Sequence, residues 1–337
     1  MSIDPLLSLA FSIQTGKGAY ALLLGSGISR SAGIPTGWEV TLDLLRKLAK
    51  MKGEDCEPSP EVWYRDAFGE DADYARILEA LGKTPAERKA ILRGYFEPTE
   101  EERARGEKLP TEAHRQIAQL VAKGYVRVIV TTNFDHLIED ALRAAAIEPV
   151  IVSTPDGIEG APPLSQPEPL IIKAHGDYLD VRIKNTPQEL SQYDEKLNGV
   201  LDRIFDEFGL IVCGWSADWD AAMCQALIRC NSRRYAVYWT ARGAVSDEAK
   251  RLVAARRADF LTVESADTFF RSLGEKVLAL EEVAAPHPLA TKVAVAVLKK
   301  HLSDPFGEIG VHDLLREATE SWYARRSGQA LSGAMRR

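Results

Sequence analysis

Four short strings hold the residues whose types and spacing can do chemistry. They are Gly25-Ser26-Gly27-Ile28-Ser29-Arg30-Ser31-Ala32-Gly33-Ile34-Pro35, Thr131-Thr132-Asn133-Phe134-Asp135-His136-Leu137, His175-Gly176-Asp177 and Cys213-Gly214-Trp215-Ser216-Ala217-Asp218-Trp219-Asp220. Each follows an apolar run. A glycine-rich turn after a buried strand lets the backbone approach a pyrophosphate closely, with free N–H groups pointed at the anion. Asn133 has both a donor and an acceptor, so it can orient a hydroxyl or a water without adding charge. His175, when neutral, can accept a proton from either. No metal-ligand cluster is visible, and this chemistry requires none.

Each string also has a plainer reading. The dinucleotide fingerprint G-x-G-x-x-G needs glycine at position 30, where Arg30 stands, and a tight strand-to-helix turn uses the same glycines. Thr132 or Asn133 could cap a helix with Asp135 in its first turn. His175 could be a satisfied polar group. Gly214 and Ser216 could meet a ribose or phosphate, yet Ser216, Asp218 or Asp220 could equally cap the next helix. Four such strings at the carboxyl ends of four strands in one sheet converge on one crevice.

The elements that must position them read as a doubly wound, mostly parallel α/β sheet. The runs YALLL (20–24), VRVIVT (126–131), VIVS (150–153), LIIKA (170–174), LIVC (210–213), YAVYW (235–239) and FLTV (260–263) are continuous rather than alternating. Strands buried on both faces look like this. Between them lie helical spacings such as 197–208, apolar at 197, 200, 201, 204, 205 and 208. Residues 52 to about 108 break the alternation with aromatic and apolar residues at helical spacing. They read as a helical insertion able to cap the carboxyl end of the sheet. Residues 154–169, rich in Pro and Gly, read as a long loop. Two tail helices are expected at 289–302 and 309–323, and the basic last dozen residues are expected to be disordered.

Composition narrows the classes. The chain has 337 residues, 45% hydrophobic and 27% charged, as an ordinary globular protein has. A formal net charge of −7 gives no global field toward nucleic acid or anionic membrane. Cys56, Cys213, Cys224 and Cys230 form no C-x-x-C pair, so they read as reduced, mostly buried thiols. The N-terminus lacks a basic start, and no apolar run is long enough to span a bilayer. The expected location is the cytoplasm.

The order G-S-G-I-S-x-S-A-G-I-P, T-T-N-F-D, H-G, G-W-S-x-D-x-D resembles the sirtuins over roughly residues 18–265. Within them it is similar to the sirtuin-like domains of bacterial antiviral defence systems. The resemblance implies a Rossmann-like, sirtuin-type fold that binds NAD+ and breaks its nicotinamide–ribose bond. It places the loop of Gly25, Ser26, Gly27, Ile28, Ser29, Gly33, Ile34 and Pro35 on the pyrophosphate and neighbouring ribose. It maps the family's asparagine onto Asn133 and its catalytic histidine onto His175. Asp135 falls near the nicotinamide amide, with Thr132 beside it. Gly214, Trp215 and Ser216 face the adenosine half.

Two departures count. Protein-deacylating sirtuins carry two cysteine pairs between the His-Gly and G-x-S motifs, whereas residues 177–212 here contain no cysteine, and the family's Q-N-x-D reads Thr132-Asn133-Phe134-Asp135. Both weaken acyl-lysine removal and leave glycosidic cleavage untouched. The defence-associated members hydrolyse NAD+ outright, so the resemblance implies an NAD+ glycohydrolase with residues 1–282 as catalytic domain and 283–337 as a tail for assembly. It further implies homo-oligomers or a defence partner such as a helicase-like ATPase or an Argonaute-type protein, and the acidic charge adds the expectation of no direct nucleic-acid binding. The rival readings are a non-catalytic NAD-binding subunit and an NAD-dependent deacylase.

Overall fold

The apolar runs form the strands expected of them. The computed structural model describes residues 4–72, 74–179, 190–218 and 220–284 and isolated positions further on. In it, β1 (Tyr20–Leu24), β2 (Val126–Thr131), β3 (Val150–Val152), β4 (Leu170–Lys173), β5 (Gly209–Cys213), β6 (Val237–Ala241) and β7 (Asp259–Thr262) build one sheet. Its seven strands run in the order β3-β4-β2-β1-β5-β6-β7, and every pairing is parallel. β1, β4 and β5 are buried along their whole length, which is why their sequences do not alternate. The run 235–239 is displaced: β6 begins at Val237, which pairs with Leu210, and Tyr235 stays exposed against the Tyr20 ring.

Helices cover the sheet. The first part of the chain supplies α1 (Pro5–Thr15), α2 (Gly37–Lys52), α3 (Pro60–Phe68), α4 (Tyr74–Leu81), α5 (Pro85–Phe96), α6 (Glu100–Arg105) and α7 (Glu112–Ala122). The rest supplies α8 (Leu137–Ala144), α9 (Pro155–Glu159), α10 (Glu195–Glu207), α11 (Ala221–Arg229), α12 (Asp247–Arg256) and α13 (Ala266–Ala284). The α3–α6 stretch is the helical insertion. Its Tyr64, Ile77, Leu92 and Phe96 share an apolar cluster with Ile34, Phe134 and Tyr178, so it leans on the loops that follow β1, β2 and β4.

Residues 154–169 are not all loop. Thr154 accepts the Gly157 N–H and Pro155 opens α9, a capped start that outweighs the local Pro and Gly content.

The strand order places the crevice. From β1 the chain steps to β2 on one side, and after β4 it crosses to β5 on the other. The loops after β1 and β5 therefore lie side by side at the carboxyl edge, where the strand order changes direction and ligands of such sheets bind.

The chain divides into two compact units, Met1–Val277 and Leu278–Arg337. The tail helices expected at 289–302 and 309–323 and the basic last dozen residues lie outside the described residues. Only Ala296, Lys299, Lys300, His312 and Arg316 are described there, and they are helical. Among the described residues no helix is long and apolar enough to cross a membrane. All four cysteines are free and buried.

Candidate active site

The glycine loop is folded as two 3₁₀ turns, Ser26–Ile28 and Arg30–Ala32, closed by Gly33 at φ 76°. Much of its backbone is turned to the protein itself. Gly25 N–H donates to Cys213 O at 3.0 Å, Gly27 N–H to Gly214 O at 2.9 Å, and Ile28 N–H to Gly25 O at 3.1 Å. That corrects the expectation of a loop with its N–H groups free for an anion. Ile28, Ser29 and Ile34 are buried, so they shape the loop from beneath. Pro35 leads into Thr36, which with Glu39 forms a capping box at the start of α2.

The reason for glycine also differs from the expected one. A Cβ on Gly25 would lie 2.5 Å from Gly214 O, and one on Gly27 would lie 2.7 Å from Gly214 Cα. Gly214, at φ +73°, would bring its own Cβ within 2.6 Å of Ile28 N. Three glycines thus let the β1 and β5 loops touch backbone to backbone, before any ligand enters. Gly25→Ala is therefore expected to lower stability by about 1–3 kcal/mol even without nucleotide, as overpacking does. Thermal melting of the ligand-free variant checks it; an unchanged midpoint would return the glycine to a purely ligand-facing role.

The second string rises from β2. Thr132 N–H donates to Leu24 O at 3.0 Å, tying the loop to β1. Neither Thr132 nor Asn133 caps α8. That helix starts at Leu137, whose N–H is taken by Asp135 Oδ1 at 3.0 Å. One oxygen of Asp135 is thus already engaged. Asn133 is 8% exposed; its N–H donates to Thr131 Oγ1 and its Nδ2 to Ser29 Oγ at 3.2 Å. Its Oδ1 is buried and without a hydrogen-bond partner among the described residues. A buried amide oxygen left open costs stability and points to a missing hydrogen-bond donor.

Ser29 also meets His114 Nε2, at 3.4 Å. His114 Nδ1 accepts the Thr111 N–H at 3.2 Å, so Nε2 bears the proton and donates to Ser29. Burial holds the His114 pKa below its ordinary value, against the pull of Asp135 and Asp267. Asp267, at the start of α13, accepts from Ser31 Oγ and from Ala113 N, each at 2.7 Å. One carboxylate ties the glycine loop to the start of α7.

A histidine with a depressed folded pKa contributes stability that is whole above its unfolded pKa of about 6.5 and is lost as pH falls below it. Wild-type melting temperature is therefore expected to fall more steeply from neutral pH to pH 5 than that of His114→Gln. Parallel slopes in a pH series of melts would refute it.

The third and fourth strings meet. Thr131 pairs with Lys173 across β2 and β4, so Asn133 and His175 stand at equal offset past adjacent strand ends. His175 Nε2 lies 2.7 Å from Asp220 Oδ2 and 3.0 Å from Tyr193 Oη. Tyr193 donates its hydroxyl to the same Asp220 oxygen at 2.6 Å, and burial together with Asp220 holds that phenol well above its ordinary pKa. A carboxylate only accepts, so His175 Nε2 carries a proton, and in the neutral ring Nδ1 is the nitrogen with the lone pair. Nδ1 makes no hydrogen bond among the described residues. Asp220 Oδ1 meanwhile caps α11 through Met223 N–H at 2.9 Å. Of the capping alternatives, Asp220 is the one used; Ser216 Oγ accepts from Asp218 N–H.

Cavities flank this centre. One of about 250 Å³ opens past β5 and β6, bordered by Gly27, Gly214, Trp215, Ser216, Thr240 and Arg242. Another of about 230 Å³ lies past β3 and β4, bordered by Thr154, Ile172, Ala174, Gly176 and Leu197. The structure thus brings Asn133, His175, Ser29 and the three loop glycines to one edge.

Below the centre, His136, Glu139 and Asp177 bring ligand atoms within 4.8 Å of one another, a grouping the sequence did not reveal. Lys173 Nζ bonds Glu139 Oε1 and Asp177 Oδ2, so an ammonium already stands among them, while Glu139 Oε2 is buried without a partner among the described residues. His114, Lys173, Tyr193 and Asp267 escaped sequence reasoning. Lys173 had a signal, a charge inside an all-buried strand, which demands partners.

Residues 127–261 match the SIR2-like domain family. That stretch runs from β2 to β7 and contains Asn133, His175 and Asp220. A comparison with curated proteins returns no match. Among solved structures, a Sir2 enzyme is similar at 16% identity and TM-score 0.45, covering 83% of this chain and 100% of that one. A Sir2 homologue in complex with NAD gives 16%, 0.43, 83% and 95%, and a Sir2 homologue mutant with ADP-ribose gives 16%, 0.47, 84% and 100%.

Proposed function

We propose that the protein is an NAD+ glycohydrolase, cutting NAD+ to nicotinamide and ADP-ribose. The observation that carries this is the pairing of His175, its Nε2 turned to Asp220, with the open buried oxygen of Asn133 on the neighbouring strand end. The SIR2-like match over the same residues supports it.

The reaction asks little acid of the protein. When the ribose–nitrogen bond breaks, its electron pair neutralises the pyridinium, so nicotinamide leaves without protonation. The sugar passes through an oxocarbenium-like state, as in glycoside hydrolysis. Asn133 Oδ1 accepts from the attacking water or a ribose hydroxyl and fixes its direction. Water oxygen bonds the anomeric carbon, and His175 Nδ1 takes the proton. The glycine loop carries the pyrophosphate, Thr132 and Asp135 border the nicotinamide half, and the cavity beside Gly214 and Ser216 takes the adenosine half. The interval 177–212, which holds no cysteine, favours hydrolysis over deacylation.

The wider reading is NAD+ depletion in antiphage defence, in the cytoplasm. Residues 1–282 form the catalytic domain, and 283–337 serve assembly or a partner such as a helicase-like ATPase or an Argonaute-type protein. It rests on the order of the four motifs. The test is chromatography of NAD+ incubated with purified protein. Release of nicotinamide with ADP-ribose is the expected result. Tight NAD+ binding without release, alone and with each candidate partner, would make the chain a binding subunit instead.

A further inference from the structure

Lys173 ends β4, two residues before His175, and its side chain is 0% exposed. Its ammonium is ringed by oxygen: Phe134 O at 3.0 Å, Asp135 O at 2.8 Å, Glu139 Oε1 at 3.1 Å and Asp177 Oδ2 at 2.9 Å. Two of the four are main-chain carbonyls directly after Asn133. An ammonium has three protons and no acceptor, so every proton is committed and the four oxygens share them. Burial alone would lower the Lys173 pKa, but Glu139 and Asp177 outweigh it and hold it raised. Burial likewise opposes Asp177 ionisation, yet its bond to His136 and the Lys173 charge hold that carboxyl well below the usual range.

A buried pair is commonly no better for stability than apolar residues of like volume. Stability alone therefore does not account for an ammonium aimed at loop carbonyls. We propose that Lys173 is a positioning residue: its enclosed ammonium clamps the Asn133–Phe134–Asp135 turn to the strand end that bears His175. It does so from among His136, Glu139 and Asp177, whose ligand atoms lie within 4.8 Å of one another. The inference rests on the reading of Asn133 as catalytic.

The test uses the full chain with Lys173→Met/Glu139→Leu, which leaves neither partner of that pair as a lone buried charge. The double variant is expected to fold and to melt below the wild type, because the Phe134 and Asp135 carbonyls lose their ammonium donor. Its kcat should fall about 100-fold, the scale of a misplacement near 1 Å, with KM for NAD+ within about twofold. Amide hydrogen exchange at residues 133–137 should quicken at least about tenfold while β1 keeps its protection. Wild-type turnover and exchange in a folded double variant would overturn the clamp. Should that variant not fold, Lys173→Arg decides: it keeps the charge but not the compact ammonium geometry. Slowed turnover with faster exchange supports the clamp, and wild-type values refute it. If the wild type itself releases no nicotinamide, the hydrolase reading fails separately, and exchange alone judges the clamp.

Discussion

His175→Ala is expected to release nicotinamide at least about 100-fold more slowly than the wild type, within the range of about 10²–10⁴ that a positioned base contributes. The argument is geometric. Nε2 is committed to Asp220 and Tyr193, so the proton can go only to Nδ1. Alanine removes that atom and leaves the glycine loop intact, because no hydrogen bond in the structure joins the His175 ring to residues 25–35. NAD+ affinity should therefore change little while kcat falls. Titration of NAD+ beside the turnover assay separates the two. A folded variant with full turnover would end the assignment of His175 as base.

The second large effect is expected from Asp220→Asn. The substitution keeps the cap on α11, since the amide oxygen still accepts Met223 N–H. It replaces a group that only accepts with one that also donates. The introduced amide can then offer N–H to Nε2, driving the imidazole proton to Nδ1, the nitrogen that must stay bare. Exchanging aspartate for asparagine behind a catalytic histidine acts through this tautomer change in hydrolase triads, at about 10⁴-fold. A fall of at least about 100-fold in kcat is expected here, with melting close to wild type because the cap survives. If turnover holds, the proton is not received at Nδ1.

Sequence disclosed the sheet because its strands are doubly covered. YALLL and VRVIVT coincide with β1 and β2 since a strand walled on both faces is apolar over most of its length, Arg127 near the start of β2 being the exception. β6 was displaced by two residues because Tyr235 is apolar enough to extend the run yet sits in solvent. At the site, the four strings announced Asn133, His175 and the glycines by type and by place after a strand. They did not announce how those residues are held. Partners such as Asp220 for His175, 45 positions away, or His114 for Ser29, 85 positions away, come from chain separations that local spacing does not encode. The role of Gly25 was likewise hidden, because the atoms that forbid a side chain there belong to Gly214 and Trp215.

The bond from Ser31 to Asp267 spans 236 positions. On the ribosome, the loop that begins the crevice emerges early, and the carboxylate that ties it emerges last among the parts of the site. Asp267 also holds the amide of Ala113, so the start of α7 waits with it. A nascent chain thus carries β1 and its loop through the synthesis of every later strand without this tie. Completion of the site is thereby coupled to synthesis of α13, and fragments that stop short of Asp267 emerge with the Gly214 contacts of the loop but without its tie to α7.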